Sequence, residues 1–283
     1  MKRYRIKMVL AGLCVICLSG CGKSKATEEE QLKLRSQGME QALAGEYEAA
    51  VASYDKALEL SDMQVGSLEM DIAAYKASAL YHQGNIEEAV NTCTAILDLK
   101  KSAEIYLTRG LLYREMGDTE ASKADFAQAA ERTSSKDKLM LGRLSYYMED
   151  YAKAKEYLEA VTAEGNQEGL YWQAELYRQM GNEDYAATLY QSYLQGEAEH
   201  TDAYAKVASW QIRQEEYDAA LETIRSGLEK ENTENRQQLL ACEIAIYEQK
   251  GDFETAKLKM EDYLENYPDD EEAAREWVFL KTR

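Results

Sequence analysis

Residues 103–132 read AEIYLTRGLLYREMGDTEASKADFAQAAER, and this stretch decides the fold. Tyr106, Gly110 and Tyr113 fall at helical spacing. A break follows at Gly117-Asp118, and a second helical run carries Ser122 and Phe126. The pattern predicts two amphipathic helices joined by a tight turn. Gly110 lets the helices approach each other, and Tyr113 and Phe126 fill the space between them. Gly117 supplies the left-handed backbone on which a helix stops.

The same unit recurs along the chain. Its turns are expected at Gly45, Gly84, Gly117, Glu149, Gly181, Glu215 and Gly251, a mean spacing of roughly 34 residues. An acid or amide usually follows, as in Asp118, Asn182 and Asp252, where it can cap the next helix. The second helix of each unit repeats a small residue: Ala50, Ala89, Ser122, Ala154, Ala186, Ala220 and Ala256. Four residues on comes a larger one: Tyr54, Cys93, Phe126, Leu158, Tyr190, Ile224 and Met260. That spacing keeps both on one helix face, where the small side chain admits a neighbouring helix and the larger one packs into it. The unit resembles the tetratricopeptide repeat, in which an aromatic, a Leu-Gly pair, a Tyr, an Ala and a second aromatic recur. Arg109 stands where Leu is usual, and Ser122 where Ala is usual. The resemblance implies an all-α fold, an α-solenoid of about seven helix pairs over residues 31–270. A longer connection is expected near Ser61 to Glu69, and Pro268 matches the family's closing proline. Residues 271–283 carry Ala273, Ala274, Trp277 and Leu280 at helical spacing and are expected to cap the apolar end of the stack.

The N-terminus has a different character. Lys2, Arg3, Arg5 and Lys7 precede an apolar run from Met8 to Leu18, too short to span a bilayer but suited to a signal peptide. It ends in Leu18-Ser19-Gly20-Cys21, which resembles the bacterial lipobox. That resemblance implies a signal peptide over residues 1–20, a lipid on Cys21, and a polar tether over residues 21–30. It places the protein in a bacterial cell envelope, lipid-anchored and facing outside the cytoplasm.

Composition narrows the function classes. The formal net charge is −19, and loss of the four basic residues of the leader leaves 29 basic against 52 acidic residues, about −23. Such a chain is repelled by nucleic acid and by anionic head groups, so membrane attachment falls to the lipid. Cys14 and Cys17 would leave with the leader. Cys93 and Cys242 lie several repeats apart, and no disulfide is expected. The two histidines, His82 and His200, are far apart, and no metal, phosphate-loop or nucleophile pattern emerges. No enzyme activity, metal or cofactor is expected.

The first helices of the repeats carry the candidate binding residues. In tetratricopeptide proteins these helices line a concave face that takes peptides or partner helices. Here they bear Tyr81, Arg114, Arg143, Tyr146, Tyr147, Tyr171, Trp172, Arg178 and Arg213, together with His82, Leu107, Leu111, Leu139 and Lys206. Arg and aromatic residues are the types enriched at binding hot spots. The expected partner is a protein or peptide in this groove, bound by a chain that is otherwise a monomer. The plain alternative is that each Arg pairs with a neighbouring Glu and the rings pack between helices. A different class of ligand, glycan or cell-wall fragment, would use Tyr171, Trp172 and nearby tyrosines. The family's carboxylate clamp uses Lys and Asn at set positions that do not carry that set here, so binding of chaperone C-termini is not carried over.

Overall fold

A computed structural model describes residues 25–61, 65–196, 198, 200–230 and 235–283. The leader, Cys21 and the first part of the expected tether lie outside the described residues. Among the described residues there are fifteen helices and no strand. None of these helices is long and apolar enough to cross a membrane.

The chain divides into two compact units, one reaching Lys100 and the other starting at Lys101. The first contains α1 (Lys25–Leu43), α2 (Tyr47–Glu59), α3 (Ser67–His82) and α4 (Ile86–Leu99). The second opens with α5 (Ala103–Glu115), α6 (Thr119–Arg132), α7 (Lys138–Tyr147) and α8 (Tyr151–Ala163). It continues with α9 (Gln167–Gln179), α10 (Glu183–Leu194), α11 (Asp202–Arg213) and α12 (Tyr217–Leu228). It ends with α13 (Arg236–Gln249), α14 (Phe253–Asn266) and α15 (Glu271–Leu280).

Each expected turn is a helix stop in the left-handed region, with φ between 61° and 82° at all seven positions. At the α5–α6 turn, Asp118 N–H donates to the Tyr113 carbonyl at 2.9 Å and Gly117 N–H to the Arg114 carbonyl at 3.0 Å. This pairing satisfies the carbonyls that a helix end leaves open. Glu149 and Glu215 keep the same two-bond pattern without glycine, at a cost of about 1 kcal/mol each. Asp118, Asp150, Asn182 and Asp252 then cap the following helix, each accepting from a backbone N–H three residues on.

The small and large positions of the second helices are all buried. Gly110 is held by contact as well as by conformation. A Cβ there would sit 2.6 Å from the Phe126 ring, closer than packed atoms approach. Arg109, the departure from the usual Leu, makes two bonds to the buried Asp125 at 2.7 and 2.8 Å. The guanidinium fork matches the carboxylate, so a charged pair replaces an apolar contact without an unmatched charge. Cys93 is buried and Cys242 half-buried, and both are thiols.

Two expected boundaries shift. Helix α1 already begins at Lys25, inside the stretch expected as tether, because Glu28 in its first turn favours a helix N-terminus. The long connection after α2 closes sooner than expected, with α3 starting at Ser67. There the Glu69 carboxylate reaches back to the Gly66 N–H at 2.7 Å and also accepts from the buried Gln31. At the other end Leu280 is fully buried against α13 and α14, with Ala273 and Trp277 packed beside it. Ala274 faces solvent, as do Val278 and Phe279.

Candidate functional site

In the second unit the first helices of successive pairs set aromatic rings side by side. Tyr147 of α7 stacks on Phe126 at 5.2 Å and meets Trp172 of α9 edge-on at 5.5 Å. Tyr146 meets Trp172 at 5.9 Å. Tyr171 lies edge-on to Trp172 at 5.6 Å and stacks on His200 at 3.8 Å. Two guanidinium groups cover this ladder: Arg114 sits over Tyr147 at 4.8 Å and Arg143 over Trp172 at 4.7 Å. Such cation–ring contacts contribute about 0.5–2 kcal/mol each.

Beside the ladder lies a buried polar network centred on Glu175, which is 7% exposed. Its carboxylate accepts from Lys206, from the Tyr190 hydroxyl, and from Arg178 at 2.9 Å. Lys206 also pairs with Asp202 at 2.5 Å, and Asp202 accepts from the Tyr171 hydroxyl at 2.9 Å. Burial pushes the Glu175 carboxyl up, but Lys206, Arg178 and Tyr190 outweigh it and hold the group below its ordinary value. Burial, and then the nearby carboxylates, raise the hydroxyls of Tyr171 and Tyr190 far above the usual phenol range, so both remain neutral donors. At the ladder's far end His200 pairs with Glu168 at 3.0 Å, and that contact holds the Glu168 carboxyl below its ordinary value.

The network forms one wall of a pocket of about 240 Å³. Arg178, Lys206 and Arg213 line it together with Tyr190, Trp210, Glu183 and Gln238. Lys206, Trp210 and Arg213 fall on one stripe of α11, at four- and three-residue steps. The Trp210 indole N–H donates to Asp184 at 2.9 Å, which fixes its ring at the pocket edge. Arg213 bonds Glu183 at 2.6 Å, with both side chains more than half exposed. An exposed pair of this kind contributes little, about 0–1 kcal/mol, so a ligand carboxylate can replace Glu183 at small cost.

The structure therefore sorts the expected residues into two groups. Arg178 and Arg213 meet at the pocket, while Tyr146 and Tyr147 belong to the ladder and Arg114 and Arg143 cover it. Tyr81 belongs to the first unit, where it meets His82 edge-on. Tyr171 and Trp172 are corrected: each is only 7% exposed and belongs to the core between α8 and α11. Burying two large rings outweighs displaying them, and Tyr171, Trp172, Ala174, Glu175 and Leu176 of α9 are all enclosed. Neither ring presents a free face to a ligand. Leu107 is likewise buried. The plain alternative holds for Arg178 and Arg213, which are ion-paired, and in part for Arg114, which reaches Glu115 at 3.9 Å while it rests on Tyr147; Arg143 rests on the Trp172 ring. Glu175, Glu183 and Trp210 were not singled out from sequence, although the α11 stripe marks Trp210. Among the described residues no three His, Cys, Asp or Glu side chains gather as metal ligands do.

Known proteins share this architecture. Family profiles described as tetratricopeptide repeat match residues 37–104, 103–135 and 139–204. No curated protein matches the chain. Among solved structures, a tetratricopeptide repeat protein from Parabacteroides merdae superposes with a TM-score of 0.53 at 19% identity, covering 90% of this chain and 100% of its own. Yeast Tom70 superposes with a TM-score of 0.65 at 16% identity, over 91% of this chain and 54% of Tom70. The APC/C hetero-tetramer Cut9–Hcn1 gives 0.57 at 14% identity, over 91% of this chain and 57% of the matched chain. The chain thus spans about half the length of the latter two, and at these identities the likeness is one of fold.

Proposed function

This chain belongs to the tetratricopeptide-repeat family, and from that premise we propose that it is a protein- or peptide-binding scaffold held at a bacterial cell envelope by a lipid on Cys21. Its array faces outside the cytoplasm and recognises a partner segment that carries carboxylate groups. The observation that carries this reading is the pocket where Arg178, Lys206 and Arg213 converge in a chain of net charge −19. Guanidinium groups grip carboxylates through paired bonds, and Trp210 adds rigid flat area with little side-chain entropy to lose. The surrounding negative charge disfavours ligands that are acidic along their whole length, such as nucleic acid. The anchor rests on Leu18-Ser19-Gly20-Cys21 behind a short basic and apolar leader.

Two experiments test the two halves of this reading. Cells expressing the protein are labelled with a fatty-acid probe; wild type takes up label and Cys21→Ala does not. Label persisting in the variant excludes Cys21 as the anchor. Envelope extracts are then passed over wild type and over the Arg178→Ala/Arg213→Ala variant, with bound proteins identified by mass spectrometry. The variant is expected to fold and to lose a defined subset of proteins. Identical captured sets would remove the pocket from recognition.

A further inference from the structure

A second cleft lies at the other end of the second unit, between α13, α14 and α15, and its chemistry is the reverse of the first. It encloses about 280 Å³. Its floor is apolar: Ile244 and Met260 are buried, and Ala245 and Ala273 leave the space that larger side chains would fill. Its wall carries Glu248 from α13 and Glu276 from α15, with Glu272 and Asp270 at the start of α15 also lining it. One oxygen of Glu248 is buried and has no hydrogen-bond partner. Among the described residues no Lys or Arg pairs with Glu248 or Glu276. On the same helix Glu243 is matched by Lys259 at 2.9 Å. Burial, then the charge of Glu276 and a hydrogen bond with it, push the Glu248 carboxyl up.

A buried acceptor without a donor is a standing cost, and a cation brought there relieves both the vacancy and the repulsion. The described carboxylates do not gather as metal ligands do. The apolar floor instead suits a cation on a hydrocarbon stem, since an ammonium head and its methylene chain demand an acidic and an apolar surface together. We propose that this cleft is a receptor for an alkylammonium group, carried by a free amine or by a lysine side chain of a partner protein. The stem lies on Ile244, Ala245 and Met260, and the ammonium sits between Glu248 and Glu276. The strongly negative chain raises the local concentration of such cations. The site shares no residue with the Arg178–Arg213 pocket, so either can fail without the other.

The test is isothermal titration of the full chain with two probes, 1,5-diaminopentane and an Nα-acetyl-lysine amide. Saturable binding of either is expected, weakened at least about tenfold in Glu248→Gln/Glu276→Gln and unchanged in Glu271→Gln on the same helix. Binding of the diamine alone assigns the site to free amines, and binding of the blocked lysine assigns it to a protein side chain. Ala245→Leu keeps both charges and fills the floor, so it should abolish binding of whichever probe binds. It also preserves the test should the glutamine variant fail to fold. The proposal is overturned if neither probe saturates, or if the glutamine variant or Ala245→Leu binds as wild type does.

Discussion

Glu175 and Glu248 sit on the first helices of two repeats in one compact unit, and their surroundings are opposite. Glu175 is enclosed by Lys206, Arg178 and Tyr190, and stays ionised. Glu248 faces Glu276 with no basic partner, and its carboxyl is held above its ordinary value. The repeat scaffold is the same in both places: a left-handed turn follows at Gly181 in one and Gly251 in the other. What differs is the side chain that the next first helix contributes. Helix α11 offers Lys206 opposite Glu175, whereas the cap α15 offers another acid opposite Glu248. A repeat fold thus fixes where side chains meet and leaves the chemistry of each meeting to local sequence. One joint becomes a neutralised core with an exposed, exchangeable ion pair at its edge, and the other a cleft lacking a cation.

This contrast can be broken by substitution. Lys206→Met should cost the most, about 3 kcal/mol in urea unfolding, because it removes a cation from two buried or half-buried carboxylates. A loss near zero would mean that Arg178 and Tyr190 suffice for Glu175. The contrast also presupposes one helix register through the unit. Ala220→Leu tests this, since the residue is fully buried and overpacking there should cost about 1–3 kcal/mol; a neutral result would undermine the register. Glu248→Gln should leave stability within about 0.5 kcal/mol or raise it, whereas a large loss would show that the carboxyl already has a partner.

Acid separates the two joints by sign. The Glu175 carboxyl is depressed in the fold, so its stabilisation is present at neutral pH and is lost as pH falls through its lowered value, below the ordinary 4.5. The Glu248 carboxyl is raised, so its stabilisation is present below 4.5 and is lost as pH rises through its elevated value. Hydrogen exchange measured in steps from pH 7 to about pH 2.5 should therefore show protection falling in α9 and α11 below about pH 4.5 while it holds or grows between α13 and α15. Parallel changes in both places would contradict the contrast.

Much of this arrangement was legible in the sequence, because repetition multiplies weak signals. Seven turns, the small residue five places later and the large one four beyond that all fell where a stacked helix pair requires them. Even Glu149 and Glu215, where glycine is absent, were legible from spacing. The site was harder to read. Tyr171 and Trp172 are adjacent on α9, and sequence alone marks them as rings without saying that α10 and α11 close over them. Arg178 and Arg213 were expected on the first helices of their repeats, and they line one pocket, but Glu175 and Glu183, their partners, are ordinary acids in an acidic chain. Only the meeting of α9, α10 and α11 encloses Glu175 and sets Glu183 beside Arg213.

The most direct measurement of recognition is a binding assay on arrayed acidic peptides, each with a free and with an amidated C-terminus, probed with the full chain. Wild type is expected to select a subset of carboxylate-bearing peptides. Arg178→Ala/Arg213→Ala should lose that subset, with each Arg contributing about 1–4 kcal/mol, while its helical spectrum stays that of wild type and its melting temperature falls only by what the loss of the Arg178–Glu175 bond accounts for. A folded double variant that selects the same peptides with the same affinities would contradict the assignment of binding to the pocket between α9, α10 and α11.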